Sequence, residues 1–320
     1  MFDIKPKYLY QVYRFGLSDY DKEKEEKTWN EKKVERVDEQ TGEIKGERTV
    51  YIAKAENVGE SMCLDDKEIK GKSFSILSNQ QTGKIAFMMD SVRSFELEKG
   101  IAFLGESIQK IKTMNCDMAP GYLKFIRENL PQSTIVVDKF HVMKYVYDAV
   151  QQVRMEIRKS IFEQMPKGQR RKQDEGLLSE LEQLKKSKVP LSRSKDLWSE
   201  EQRELMQNIF LSYAKLENAY QLAQEFKVWY SKDNSKKGYL QINKELHQWL
   251  EKLETSKIKQ FESCSKMIQK HEEEIINYFK NPQTNAKAER LNGKIERFLS
   301  NNYGTRDLDF TLYRIKGYFA

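Results

Sequence analysis

ESMCLDDKEIKGKSFSILSNQQTGKIAFMMDSV, residues 60–92, is the stretch whose reading decides the fold. Within it ESMCLDD (60–66), KSFSILSN (72–79) and KIAFMMDSV (84–92) are short and mostly apolar, and the spacers KEIKG and QQTG are rich in turn formers. Runs of this length with such punctuation predict three strands joined by tight turns. Downstream the period changes. SFELEKGIAFLGESIQKI reads as a helix, IKTMNCD as a strand, APGYLKFIRENL as a helix and STIVVD as a strand, so the order is β-β-β-α-β-α-β. Strands separated by helices are joined by crossovers and pair in parallel, with the helices covering the sheet faces. The unbroken apolar run TIVV suits a strand buried on both faces.

A three-strand meander followed by parallel strands is the RNase H-like order. The predicted fold class is therefore α/β, an RNase H-like mixed sheet, interrupted by a large all-α insertion before the last helix of that core. Residues 1 to about 30 are polar and studded with aromatics, and read as a helical arm or linker. KKVERVDEQTGEIKGERTVYI predicts a β-hairpin turning at Gly42. The arm and hairpin occupy 1–56 and the first part of the core 57–141. From 142 to 280 the pattern is helical throughout, with heptad-like apolar spacing at Leu205, Ile209, Leu216, Tyr220, Ala223, Phe226 and Tyr230. Pro166 and Pro190 break that region and Asn281-Pro282 ends it. The remainder, 281–320, holds a last helix from Thr284 to about Leu299 and a tail.

The composition narrows the function classes. The 320 residues suffice for one large domain or two joined ones, and 38% hydrophobic residues can fill a sizeable core. With 56 Lys+Arg against 49 Asp+Glu the net charge is +7, a mild pointer to a nucleic-acid partner. Cys63, Cys116 and Cys264 lie far apart, giving neither a disulfide framework nor a CxxC zinc pair. No leader pattern and no run of 18 apolar residues is present, so a soluble cytoplasmic protein away from membranes is expected.

Carboxylates sit where this fold order would gather them. Asp65 ends the first strand in CLDD, Asp117 ends the fourth in MNCDM, and Glu289 lies on the last helix in NAKAERLNGK. Phosphodiester cleavage uses one hard dication to activate water and a second to stabilise the leaving oxygen, about 3.5–4 Å apart on oxygen ligands. Carboxylates suit Mg²⁺ or Mn²⁺, two ions in one site, and with only three His in the chain a zinc cluster is not offered. A freed 3′ hydroxyl can replace water as the attacking group, which makes cutting and joining one chemistry. Taken singly, each residue has a plainer role: an Asp after a strand more often caps a turn or helix, and a Glu on a charged helix is usually solvated. On the last helix, however, Asn285, Glu289, Asn292 and Glu296 share one face, Ala288, Leu291, Ile295, Phe298 and Leu299 another, and Lys287, Arg290, Lys294 and Arg297 a basic stripe. That pattern suits a helix lying between sheet, metals and DNA backbone, with i to i+4 salt bridging as the bland alternative.

Several ordered blocks resemble the ISL family of bacterial insertion-sequence transposases, within the DDE superfamily: NVGESMCLDD, MNCDMAPGY, IVVDKFHVMKYVYDAVQQVR, LENAYQLAQEFKVWY, and TNAKAERLNGKIERF followed by NNYGTRDLDFTLYRIKGYF. The similarity runs from about residue 57 to the C-terminus. It implies Asp65, Asp117 and Glu289 as catalytic metal ligands holding two Mg²⁺ or Mn²⁺ ions, and Asp138 with His141 as an accessory DxxH element. Asp66, Asn285 and Asn292 are further accessory candidates. This sequence departs from the family in having Asp66 where a Glu is usual and Glu296 where a Lys is frequent. It also has no ligands for the zinc motif, and no clear helix-turn-helix, that fuller members carry at the N-terminus. A separate polypeptide reading the transposon ends, or an incomplete product, would account for that.

The expected partners are the DNA of the transposon ends and the target, bound by a homodimer in the synaptic complex. Phosphate contacts are expected from Lys139, from Arg158, Lys159, Arg170, Arg171 and Lys172 around the Pro166 break, and from Lys287, Arg290, Lys294 and Arg297. Trp198, Trp229 and Trp249 either stack on an unpaired base or, as Trp more often does, pack in a core. Two other readings stay open: a non-catalytic DNA-binding scaffold descended from a transposase, and a metal-dependent nuclease without strand transfer.

Overall fold

The computed structural model describes residues 6–26, 29, 32–38, 41–164, 175–234, 236–280, 286–301 and 307–320, with the side chains of 6, 175, 177 and 286–289 excepted. Two compact units emerge: Met1–Asp138 together with Asn281–Ala320, and Lys139–Lys280.

The first unit is built on a seven-stranded sheet in the order β1-β2-β5-β4-β3-β6-β7. The meander consists of β3 (Ser61–Ile69), β4 (Lys72–Asn79) and β5 (Ile85–Met89), paired antiparallel as their spacers predict. The β3–β4 turn is closed by Lys70 and Gly71 at φ of 52° and 78° between the pair Ile69 and Lys72, the double positive φ that a two-residue hairpin needs. β6 (Thr113–Cys116) and β7 (Thr134–Val137) then add in parallel beyond β3. The hairpin β1 (Lys33–Val37) and β2 (Ile44–Ala53) turns through Gly42 at φ 72°. It does not stand apart as an arm. β2 is ten residues long: its first half pairs with β1, and Val50, Ile52 and Ala53 pair with Met89, Met88 and Phe87 of β5, so the hairpin is the sheet's edge.

Helices cover both faces. α1 (Pro6–Val12) and α2 (Tyr20–Glu25) come first, ahead of α3 (Ser94–Ile101) and α4 (Pro120–Asn129). The helix expected over 94–111 is interrupted: a 3₁₀ segment, Ala102–Lys110, follows α3, and Gly105 takes φ 58° and ψ −145°, outside any helix. α3 lies against β5 because Gly100 has no Cβ; one placed there would meet Met89 Sδ at 2.7 Å and Phe87 Cζ at 2.9 Å.

The opposite face carries the two helices that close this unit, α12 (Ala286–Asn301) and α13 (Leu308–Phe319), numbered after the seven helices of the second unit given below. The stretch expected as a tail is thus a helix, capped by Asp307, whose Oδ1 accepts from Phe310 N at 3.0 Å. Phe310, Leu312 and Ile315 of α13 and Leu291 and Ile295 of α12 bury themselves with Ile69, Phe74, Ile76 and Met88 of the sheet. Tyr20 packs edge-on against Phe310 at 5.0 Å between ring centroids, and Trp29 against Tyr313 at 5.2 Å, so the N-terminal segment belongs to this core.

In the second unit the described elements are α5 (Lys139–Gln164), α6 (Glu175–Lys186), α7 (Glu200–Ser212), α8 (Ala214–Ser231), α9 (Tyr239–Ser256), α10 (Glu262–Lys270) and α11 (Glu272–Lys280), with short 3₁₀ turns. Ile209, Leu216, Tyr220, Ala223, Phe226 and Tyr230 are buried as the heptad spacing predicts, while Met206 rather than Leu205 fills the first position. The run is two helices, because Tyr213 at φ −133° and ψ 75° breaks it. Ser199 caps α7 with a reciprocal box to Gln202. The expected break at Pro166, the boundary Asn281-Pro282 and the helix start at Thr284 lie outside the described residues. No helix among the described residues is long and apolar enough to cross a membrane.

Phe310 is fully buried and touches both α13's sheet contacts and the N-terminal aromatics. Phe310→Ala should cost about 3–5 kcal/mol of unfolding free energy, the usual range for deleting a core ring. Urea denaturation of the variant beside the parent measures it.

Candidate active site

The geometry begins with the parallel ladder. Leu64 pairs with Cys116 across β3 and β6, and Cys116 with Val137 across β6 and β7. Asp65 continues β3 beyond that pair, and Asp117 and Asp138 are the residues that follow β6 and β7, so the shared register brings three carboxylates to the same edge of the sheet. Asp138 N donates to Cys116 O at 2.9 Å, which carries the ladder one step beyond the strand end. Two residues below Asp65 on its face of β3 lies the fully buried Cys63. Its thiol pKa is pushed well up by burial first, and then by the charges of Asp65, Cys116, Asp138 and Asp117.

β3 changes character at Asp65. Ser61 to Leu64 are buried without alternation, whereas Asp65 to Glu68 alternate half-buried and exposed as the strand runs past its cover. Asp65 Oδ2 accepts from Asn292 Nδ2 at 2.7 Å and Oδ1 from Asp66 N at 2.9 Å. Burial holds its carboxyl pKa above the ordinary value, the two hydrogen bonds oppose this, and the charges of Asp66 and Asp117 raise it further. Asp66 falls on the other side of the sheet by alternation, paired with Ser75, whose hydroxyl meets Tyr122 Oη at 2.8 Å. Asp117 Oδ1 accepts from Ala119 N at 3.0 Å, so it shapes the turn into α4 although Ala119, not Asp117, is the cap residue.

α12 lies against this site. Leu291 and Ile295 are buried in the sheet's core, Asn292 bonds Asp65, and Glu296 forms an ion pair with Lys67. Arg290, Lys294 and Arg297 are exposed. The three-faced pattern expected of this helix therefore holds for its described residues. Position 289 is in α12, three residues before Asn292; its side chain, that of Lys287, and the whole of Asn285 lie outside the described residues. Among the described residues, no three His, Cys, Asp or Glu are gathered as a metal site.

The remaining expected residues are spread wider. Asp138 closes the first unit and His141 lies in the first turn of α5 in the second, edge-on to the Phe140 ring at 5.8 Å. Lys139 is occupied within the helical unit: its ammonium donates to Tyr230 O at 2.8 Å and lies over the Tyr230 and Tyr278 rings. Arg158 is half-buried and Lys159 is exposed, 3.8 Å from Glu163, while Arg170, Arg171 and Lys172 lie outside the described residues. Trp198, Trp229 and Trp249 are buried, and the indoles of Trp198 and Trp249 donate to Pro190 O and Leu222 O at 2.9 Å each. They are core residues of the helical unit, not a stacking platform. The sequence reading missed Lys67; its only signal is a cation two residues after Asp65 that matches the anion four residues after Asn292.

Residues 62–315 match the family model described as the ISL3 transposases. The chain belongs to the ISL3 transposase family. Comparison with curated proteins and with solved structures found no match. The mixed sheet of the transposase is compatible with an RNase H-like fold, and the family makes it an enzyme of DNA cleavage and transfer with DNA as partner.

The donor set of the transposase fits a hard dication: two anionic oxygens at neighbouring strand ends, one of them poorly solvated and raised by like charges. The same crowding costs stability when no cation is present. Asp65 has a folded-state pKa above its unfolded one, so it destabilises the fold above its folded pKa, and the cost fades as pH falls below the ordinary carboxylate value. In chelator, Asp65→Asn should melt at a higher temperature than the parent at pH 7, and the gap should close towards pH 3. Differential scanning calorimetry at the two pH values checks both halves.

Proposed function

We propose that the transposase is a DDE enzyme in which Asp65, Asp117 and Glu289 hold two Mg²⁺ or Mn²⁺ ions, cleave DNA at insertion-sequence ends and transfer the freed strand into target DNA. The observation that carries this reading is the in-register pair of strand ends at Asp65 and Asp117, with Asp65 hydrogen-bonded by Asn292 of the helix that bears position 289.

The ions would supply the polarisation of the scissile phosphate, the activation of water or a 3′ hydroxyl, and the stabilisation of the leaving oxygen. Asp65 contributes a carboxylate fixed by two hydrogen bonds, so that little reorganisation is needed when a cation arrives. Asp117 is held by its bond to Ala119 N at the turn where α4 begins. Asp138 adds negative charge at the third strand end. The exposed Arg290, Lys294 and Arg297 supply phosphate contacts beside the site, of the sequence-blind, salt-sensitive kind. In cleavage, water oxygen bonds to phosphorus as the bond to the 3′ oxygen breaks and that oxygen leaves as a hydroxyl. In transfer the same hydroxyl attacks a target phosphate and displaces a target 3′ oxygen. We read Lys139–Lys280 as an all-α insertion within the catalytic domain, and the working assembly as a homodimer on two ends.

DNA carrying the element's own ends, incubated with the transposase and Mg²⁺, should be cut. Asp117→Asn should cut about 10³-fold more slowly, equivalent to about 4 kcal/mol of transition-state stabilisation, while retaining DNA affinity in chelator. Equal cutting by both proteins sinks the reading. Retained binding with no cutting by either supports the scaffold alternative instead.

A further inference from the structure

On the face of β3 that carries Asp65, the next residue is Lys67, and on the facing side of α12 the residue one turn after Asn292 is Glu296. The two contacts between them, Asn292 to Asp65 and Glu296 to Lys67, step along both elements in the same direction. Four helical residues rise about 6.0 Å. Two strand residues rise about 6.6 Å. The contacts are therefore two rungs of one ladder, and α12 runs alongside β3 in matched register.

The apolar side of α12 does not fix that register by itself. Leu291 and Ile295 are one turn apart, and Phe298 and Leu299 follow one turn later. A slide of one turn would put one apolar side chain where another had been, and burial of apolar area is non-directional. The same slide would break both polar rungs. Directional polar contacts beside an apolar seam select one register from several. Glu296 is 68% exposed at its side chain and Lys67 only 15%, so the ion pair itself adds little stability.

We propose that Lys67 and Glu296 are positioning residues: their ion pair, with the Asn292–Asp65 hydrogen bond, locks α12 in register on β3 and so sets where position 289 stands relative to Asp65 and Asp117. This rests on the metal-site reading above for its consequence in catalysis, and on the rungs alone for the register.

The sign of one substitution separates positioning from simple electrostatics. Lys67→Glu adds negative charge beside the carboxylates, and charge alone would tighten Mn²⁺ binding. Loss of register weakens it. In the full chain, Mn²⁺ titration followed by electron paramagnetic resonance should show Lys67→Glu and Glu296→Lys each about 10-fold weaker than the parent, the lower end of what loss of an outer contact to a metal site costs. The swapped pair, Lys67→Glu with Glu296→Lys, should restore binding. A second readout needs no metal: nitroxides on Lys294→Cys of α12 and Lys72→Cys of β4, both exposed, report the helix position. In either single variant the distance distribution should broaden or move by up to about 5 Å, one helical turn, and the swap should return it. Where Lys67→Glu lowers the melting midpoint substantially, Lys67→Met is used instead. Unchanged distances in both single variants overturn the proposal, as does a folded swap that restores neither readout, or a moved helix with unaltered Mn²⁺ affinity. A parent that binds no Mn²⁺ overturns the metal-site reading, and the distances alone then decide the register.

Discussion

Everything at the candidate site depends on the register of three parallel strands. Leu64, Cys116 and Val137 stand level across β3, β6 and β7, and the residue after each is an aspartate. A slip of one residue in either pairing would turn one carboxylate to the opposite face, because side chains alternate with period two. The paired segments are buried on both faces, with Met62, Leu64, Met114, Cys116, Val136 and Val137 almost wholly inaccessible, so the ladder that carries the three aspartates runs inside the core. The same constraint sorts Asp65 from Asp66. Adjacent in sequence, they lie on opposite faces, one beneath α12 and the other beside Ser75 and Tyr122.

A cluster of carboxylates at the edge of a core is costly, and the fold offsets it from the same face. Asp65 is mostly shielded from water with like charges near it. A few residues further along the face, Ile69, Phe74, Leu291, Ile295, Phe310 and Ile315 form a hydrophobic core. At about 25 cal/mol per Å² of apolar surface removed from water, a handful of such side chains outweighs one poorly solvated carboxylate. α13 and the N-terminal aromatics thus matter to the site although none of them touches it: they hold the sheet against the repulsion that the site builds in.

The legibility of this arrangement in the sequence follows from how local each signal is. The meander and both crossovers are legible because turn residues and changes of period are local, and so are the three Asp residues at strand ends. The continuation of the hairpin into the sheet is not, since β2 changes partner halfway along its length with no residue to mark it. α13 carries a local signal in Asp307 as cap, but its role in the core depends on distant aromatics. The break at Tyr213 has neither Gly nor Pro to announce it. The faces of α12 are legible from helical period alone, yet which strand its polar face meets is not. The pairing of Lys67 with Glu296 joins residues at opposite ends of the chain, and complementary charge in so basic and acidic a sequence selects no particular partner.

That last pairing bears on how a divided core can be assembled at all. Between the strand that ends in Asp138 and the helix that carries position 289 stands the entire helical unit. Chain connectivity therefore does little to align α12: the entropic cost of closing a long connection rises only with the logarithm of its length, and so distinguishes poorly between one register and the next. Apolar packing brings the helix to the sheet but tolerates a shift by one turn. What remains to fix the alignment is directional contact, and the structure supplies it at the two residues of β3 that share the face of the candidate site, Asp65 and Lys67. A carboxylate contributed from across such a connection can be placed to within an ångström only if its helix is keyed locally, and the key has to lie within a turn or two of the residue it places.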